Sequence, residues 1–350
     1  MPIEPWLDVG DPLAEAVVIG LRARRIPLAN PLPAIRRLAA AGDADCSAFL
    51  HDLETPSDWA DFASMRLGAG MIYRNFAQFL VAMLYGGLMT TFCSADAAYI
   101  LTRTGRLERN VVRRVFESGS LFFGVLDVDA LQPGGRVWET CVHVRLMHTM
   151  VRLHLIDTGA WPLRGTPISA GQTAAGPLFF GAMILDRLPK LGAYVTAAEA
   201  DGYYLIWRHV TRLLGVPAEL VGSTAEEQAV LDERILPYSF NPDDNSRRLA
   251  GILLSGLNKL PGAEHAPRAV HEVLARYMLG HERADGMGIP RHPVGAGAMR
   301  VVATALETYA WIQRIPAVRQ RLEAFGREYL NSTMERGLAG KPADFQPLNR

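Results

Sequence analysis

An apolar period of three to four residues recurs from one end of the chain to the other, and it limits the fold more than any other feature. Near the C-terminus Val318, Leu322, Phe325 and Tyr329 repeat at i, i+4, i+7 and i+11, while Arg319, Arg321, Glu323 and Arg327 take the remaining faces. Residues at this spacing share one side of an α-helix, so the segment reads as an amphipathic helix resting on a core. Comparable stretches are predicted at about Pro12–Arg25, Pro33–Ala41, Ser57–Arg66, Ala69–Phe92, Arg109–Phe123, Gly135–Leu155, Leu178–Leu188, Ala197–Leu214, Thr224–Leu236, Asn245–Leu260, Ala266–Leu279, Gly297–Gln313 and Ala317–Glu335. Sustained strand alternation is not seen, so the fold class is all-α. Proline and glycine punctuate the pattern at Gly159–Gly176, Pro237–Asp244 and Gly286–Gly297, and long loops of this kind tend to carry binding or active-site residues.

With 350 residues, 49% of them hydrophobic, the chain can bury a core and a cavity within it. Its 36 basic and 36 acidic side chains cancel, which argues against disorder and against a purely electrostatic nucleic-acid binder. Cys46, Cys93 and Cys141 have no C-x-x-C spacing, so neither a disulfide framework nor a structural zinc site is expected. The N-terminal run MPIEPWLDVGDPLAEAV lacks the basic and apolar regions of a secretory signal, and the expected compartment is the reducing cytoplasm. Two uncharged runs, Phe76 to Ala95 and Gly165 to Leu185, are long enough to consider as membrane spans. Gln78, Gly86, Gly87, Thr90, Thr91 and Ser94 interrupt the first, and Pro167, Gly171, Gln172, Gly176 and Pro177 the second. Both therefore read as buried core helices, with no stable membrane insertion.

Nine histidines are present. His51, His265, His271, His281 and His292 sit among polar or loop residues, and His209 has no distinguishing neighbours. His143, His148 and His154 share one predicted helix, WETCVHVRLMHTMVRLHL. At about 100° per residue, Cys141, Val144, His148, Val151 and Leu155 fall within a sector of roughly 80°, whereas His143 and His154 point nearly the opposite way. Arg145 and Arg152 lie about 40 to 60° from His148, along one border of the stripe. One reading makes His148 a core residue bonded to a backbone carbonyl, with the arginines in internal ion pairs. The other starts from the anions that guanidiniums beside an apolar wall require, since Glu139 lies well off this face. A flat apolar ligand with two carboxylates and a metal held by the imidazole satisfies all three side chains, and haem is such a ligand. A zinc protease fits neither the missing His-Glu-x-x-His motif nor the roughly 140° between His143 and His148.

The run VRLMHTMVR, with Arg145, His148 and Arg152, resembles the proximal-ligand helix of the latex-clearing-protein (rubber oxygenase) family, which also includes a fungal oxygenase that trims the prenyl chain of a mycophenolic acid precursor. Upstream, TGRLERNVVRRVFESG (Thr104 to Gly119) resembles the family's distal-side helix, in which an arginine and a threonine four positions later recur; here these are Arg114 and Ser118. Downstream, WPLRGTPISAGQ (Trp161 to Gln172) is similar to its Gly-x-Pro-Ile-Asn-Gln segment. LGAYVTAAEADGYYLIWRHVTRLLGVPAEL (Leu191 to Leu220) is similar to its following helix pair, which ends in Leu-Leu-Gly-Val-Pro. The resemblance covers approximately Trp59 to Arg283.

It implies a globin-like helical core with additional helices, a b-type haem with His148 as axial iron ligand, and oxidation of an apolar substrate by dioxygen or peroxide. Arg145 and Arg152 would face the propionates, and Arg114 and Ser118 would line the distal pocket. The organisation that follows is an N-terminal helical extension (1–58), a haem-binding oxygenase-like core (59–284), and C-terminal helices packed on the same core with a polar tail (285–350). Rubber-cleaving members carry a lysine immediately before the distal threonine, whereas this chain has Glu117 followed by Ser118. Glu117 is therefore a candidate acid or base if it turns inward, or a partner of Arg113 on an exposed face if it turns outward. The expected substrate is a small apolar molecule rather than polyisoprene. A non-enzymatic haem or lipid carrier and a cofactor-free helical binding module are the alternatives.

Overall fold

The computed structural model describes residues 2–260, 263, 265–292, 295 and 310–339, and no β-strand occurs among them. Fourteen of the described helices have eight residues or more. They are α1 (Pro12–Ala23), α2 (Leu32–Ala40), α3 (Ala44–Glu54), α4 (Phe62–Arg74), α5 (Phe76–Phe92), α6 (Ala95–Thr104), α7 (Val111–Gly124), α8 (Arg136–Asp157), α9 (Met183–Lys190), α10 (Ala197–Leu213), α11 (Ala225–Ser239), α12 (Asp244–Gly256), α13 (Arg268–Leu279) and α14 (Pro316–Leu338). Most sit where the periodicity puts them. The stretch expected at Ser57–Arg66 is shifted: α4 begins only at Phe62, where Asp61 caps it, and ends at Asn75, which separates it from α5. Two helices, α3 and α6, lie where the sequence pattern gives none. Each begins at a side chain that accepts from the backbone of the first turn, Asp43 from Cys46 N and Ser94 from Ala97 N. Pro237, read as loop, lies inside α11, and most of the helix expected over Gly297–Gln313 falls outside the described residues.

Among the described residues the larger of two apolar clusters runs from Val18 and Phe49 through Leu146 and Ile206 to Leu253 and Leu330. At its centre runs α8, which buries Trp138, Cys141, Val142, Leu146, Met150 and Leu153 and so has no fully solvated face. The approach of α4 to α10 depends on a pair of glycines. A Cβ at Gly68 would collide with the Gly202 and Tyr203 backbone, and one at Gly202 with the Ser64 carbonyl. Each glycine costs its helix about 1 kcal/mol relative to alanine, and here it permits backbone contact. The crossing is locked by Arg74, which donates to both Glu199 carboxylate oxygens at 2.9 and 3.0 Å and to Glu323 of α14 at 3.1 Å.

The uncharged run from Phe76 forms α5, in which Phe79, Ala82, Met83, Tyr85, Met89, Thr90 and Phe92 are buried. Its middle, Ala82–Leu88, widens into a π-helical stretch, and a second one, Pro177–Ala182, leads into α9. Between α5 and α6 the chain bends by 96°. Among the described residues no single helix is long and apolar enough to cross a membrane.

Candidate functional site

A cavity of about 360 Å³ lies among α5, α6, α7, α8, α10 and the segment between α8 and α9. Its walls are mainly apolar: Leu88 and Phe92 from α5, Ile100 and Leu101 from α6, Leu121 and Phe122 from α7, Val144 and Val151 from α8, then Phe179, Phe180 and Trp207. Packing of Phe180 between Phe122 and Trp207, at ring separations of 4.6 and 4.8 Å, makes the far wall aromatic. This volume falls in the range of about 300–1,000 Å³ usual for small-molecule and cofactor sites.

His148 is the one histidine on the cavity wall among the described residues. His143 is held elsewhere, its Nδ1 2.9 Å from the Glu139 carbonyl oxygen, and neither it nor His154 lines the cavity. His148 Nδ1 is buried without a hydrogen-bond partner, which leaves Nε2 as the ring nitrogen available to the cavity. Burial, reinforced by the charge of Arg152, pushes the imidazole down to about 4. It is therefore neutral at physiological pH, with a lone pair free to bind a metal.

Arg145 and Arg152, expected to face a cofactor's carboxylates, are not among the residues of the cavity wall. The anions they need come from the N-terminal helices. Arg145 donates to Asp11 from Nε and Nη2, at 2.7 and 3.0 Å, and to Asp52 from Nη1 at 2.6 Å, and its guanidinium lies 4.9 Å from the Phe49 ring centre. Burial works against the Asp52 carboxylate, yet Arg145 and Arg212 outweigh it and hold the group below the usual range. Gly215 of the Leu-Leu-Gly-Val-Pro run has φ +88°, and a Cβ there would strike both Asp11 and Arg145; only glycine fits. Arg152 donates to Glu15 at 3.1 Å and to the carbonyls of Pro167 and Ile168 at 3.1 and 2.5 Å.

On α7 the structure separates residues that the sequence grouped. Arg114 and Ser118 line the cavity, but Glu117 does not. Its carboxylate meets Arg106 at 3.0 Å, Arg113 at 2.9 Å and Arg114 at 3.7 Å. The pair with Arg113 is present, yet Glu117 is only 3% exposed, so it is neither on a solvated face nor free to act on a molecule in the cavity. Arg106, which lines the cavity and donates to Glu117, is a second cavity arginine that the sequence did not single out. Asp96 and Gln172 were missed as well. Both line the cavity, and Gln172 Nε2 donates to Asp96 Oδ2. Burial raises the Asp96 carboxyl, against the pull of the Gln172 hydrogen bond and with help from Asp243.

The sequence profile described as "ER-bound oxygenase mpaB/B'/Rubber oxygenase, catalytic domain" matches residues 72–313, a span that contains every residue of the cavity wall. The chain belongs to this oxygenase family. The rubber oxygenase of Streptomyces sp. (strain K30) is 24% identical over 344 residues, covering 93% of this chain and 82% of the relative. A solved structure of latex clearing protein in the closed state superimposes with a TM-score of 0.68 over 93% of this chain and 91% of that one, at 21% identity. This likeness establishes a shared all-helical fold. Within a family of oxygenases, an apolar cavity with one neutral imidazole, one desolvated carboxyl and two guanidiniums on its wall is the candidate active site.

Proposed function

We propose that the protein is a haem b-dependent oxygenase or peroxide-using oxidoreductase that acts on a small apolar substrate, with His148 as the axial ligand of the iron. The observation that carries this reading is the neutral imidazole facing an apolar cavity inside the oxygenase-matching span. Among the described residues no group of three or more His, Cys, Asp or Glu side chains could hold a metal. A macrocycle would supply the remaining ligands of a metal at His148, and a lone imidazole on an apolar wall fits haem. Arg106 and Arg114 reach the cavity and would take the cofactor's carboxylates, each worth about 1.5–3 kcal/mol as a charge-assisted bond.

Haem, when bound, supplies the redox chemistry of dioxygen or peroxide. The chain does the rest: its aromatic and aliphatic walls exclude water and hold an apolar molecule, Ser118 offers a hydroxyl, and Asp96 can hold and release a proton at its carboxylate oxygens. The names of the relatives point to rubber and latex as their substrates. For this chain a smaller molecule is proposed, because the lysine of rubber-cleaving members is replaced by Glu117, which Arg106 and Arg113 hold off the cavity wall.

The test is incubation of purified protein with rubber latex and, separately, with small alkenes and phenols, under dioxygen and under peroxide. Oxidised products from a small substrate are expected, while efficient release of oligo-isoprenoid aldehydes and ketones from latex would overturn the small-substrate reading. A haem-bound protein inert under every condition would be a carrier.

A further inference from the structure

Three non-glycine residues have a positive φ among those described, Arg25, Ile168 and Ala339, and of these Ile168 is the one on the cavity wall. Its φ is +51°. A β-branched side chain is crowded against its own backbone in this left-handed region, and such a residue persists only where its surroundings over-determine it. They do so here from three sides. Arg152 Nε and Nη2 grip the carbonyls of Pro167 and Ile168, at 3.1 and 2.5 Å. Ser169 and Gln172 form a reciprocal capping box at 3.1 and 3.2 Å, and Gln172 is tied in turn to Asp96. The backbone on either side is bonded to the residues that precede α1, Thr166 N to Leu7 O and Ala170 N to Val9 O, both at 2.8 Å.

The turn itself has no need of a branched side chain, since glycine or asparagine would take the same backbone at lower cost. What the frame gains from isoleucine is a fixed aliphatic surface on the cavity. Arg152, which holds it, lies one helical turn beyond His148 on α8, so the turn that carries Ile168 is tied to the helix that carries the imidazole.

We infer that Ile168 is the specificity-determining wall of the cavity and that Arg152 is its positioning residue, together setting the bulk of the apolar molecule that fits. This rests on the cavity being the substrate site proposed above. The test compares the full-length wild-type protein with Ile168→Gly, which keeps the backbone and removes the wall. Binding of a slim probe, n-hexanol, and a bulky one, 1-adamantanol, is measured by titration calorimetry. The variant should bind 1-adamantanol tenfold or more tightly while its affinity for n-hexanol changes less than threefold. Arg152→Met should move the ratio in the same direction, which a merely structural role would not do. Ile168→Asn, which also tolerates a positive φ, gives the same readout if the glycine variant folds poorly. An unchanged ratio in the Ile168 variants would overturn the inference, as would failure of both probes to bind any form. An absorption spectrum of the same samples tests the cofactor separately: a colourless protein whose ratio still shifts would refute haem and retain Ile168 as the wall.

Discussion

Arg145→Met removes a guanidinium that is 1% exposed and makes three short bonds to Asp11 and Asp52. Removing one member of a buried ion pair costs about 3–5 kcal/mol, because the other is left desolvated and unpaired. Asp52 keeps Arg212 at 3.0 Å, so the lower part of that range, about 3 kcal/mol, applies. The loss should appear in urea unfolding as a lower midpoint with little change in slope. Because Arg145 is off the cavity wall, haem affinity should change less than about threefold, or roughly 0.7 kcal/mol. A guanidinium that held a cofactor carboxylate would instead cost about 1.5–3 kcal/mol of binding, roughly tenfold to a hundredfold. Adding Asp11→Asn keeps an acceptor for Ala14 N, which Asp11 caps at 3.1 Å, and removes the stranded charge. The double variant should therefore recover at least about 1 kcal/mol relative to additivity. Unchanged stability together with tenfold looser haem would refute the assignment of Arg145 to the N-terminal helices.

Asp232 is buried beside Tyr204 and Gln228, and burial raises its carboxyl from 3.8 to about 6, more than their hydrogen bonds lower it. As pH rises the unfolded chain loses this proton first, so the stability this group contributes is fullest below about pH 4 and is lost as the folded group titrates near pH 6. About two units at 1.36 kcal/mol each give roughly 3 kcal/mol, and Asp232→Asn should flatten that part of the stability–pH curve; a slope unchanged in the variant would rule the carboxyl out as its source. Gly68→Ala should cost well over 1 kcal/mol despite alanine's better helix propensity, because its Cβ meets the α10 backbone; a thermal midpoint at or above wild type would contradict the close crossing. Glu117→Gln should lower stability by about 3 kcal/mol, since it leaves Arg106, Arg113 and Arg114 facing one another, and should leave the substrate range untouched; a changed product pattern at wild-type stability would return Glu117 to the cavity.

The helices and the position of His148 were legible in the sequence because both follow from a local period. The wheel placed His148 apart from His143 and His154, and the cavity wall separates the same three residues in the same way. The environment of Arg145 and Arg152 was not legible. The wheel showed that these side chains needed anions, but their partners come from Asp11 and Glu15, 134 and 137 residues away in sequence. No periodicity records such a distance. Glu117 illustrates the same limit, since its spacing to Arg113 gave the pair and its burial depends on Arg106, which arrives from outside the helix. α3 and α6 are short helices whose starts rest on single capping side chains, a weaker signal than an apolar stripe. Asp96 went unnoticed because it looked like the polar end of an apolar run, and only the 96° bend turns it toward the cavity.

Ligation of a haem iron by His148 is tested by the absorption spectrum of the purified protein, expressed with ample haem precursor, beside those of His148→Ala, His143→Ala and His154→Ala. A Soret band is expected in the wild type, in His143→Ala and in His154→Ala, with the band lost or shifted and haem retention sharply reduced in His148→Ala alone. A colourless wild type, or a Soret band unaltered in His148→Ala and lost in either of the other two, would contradict it.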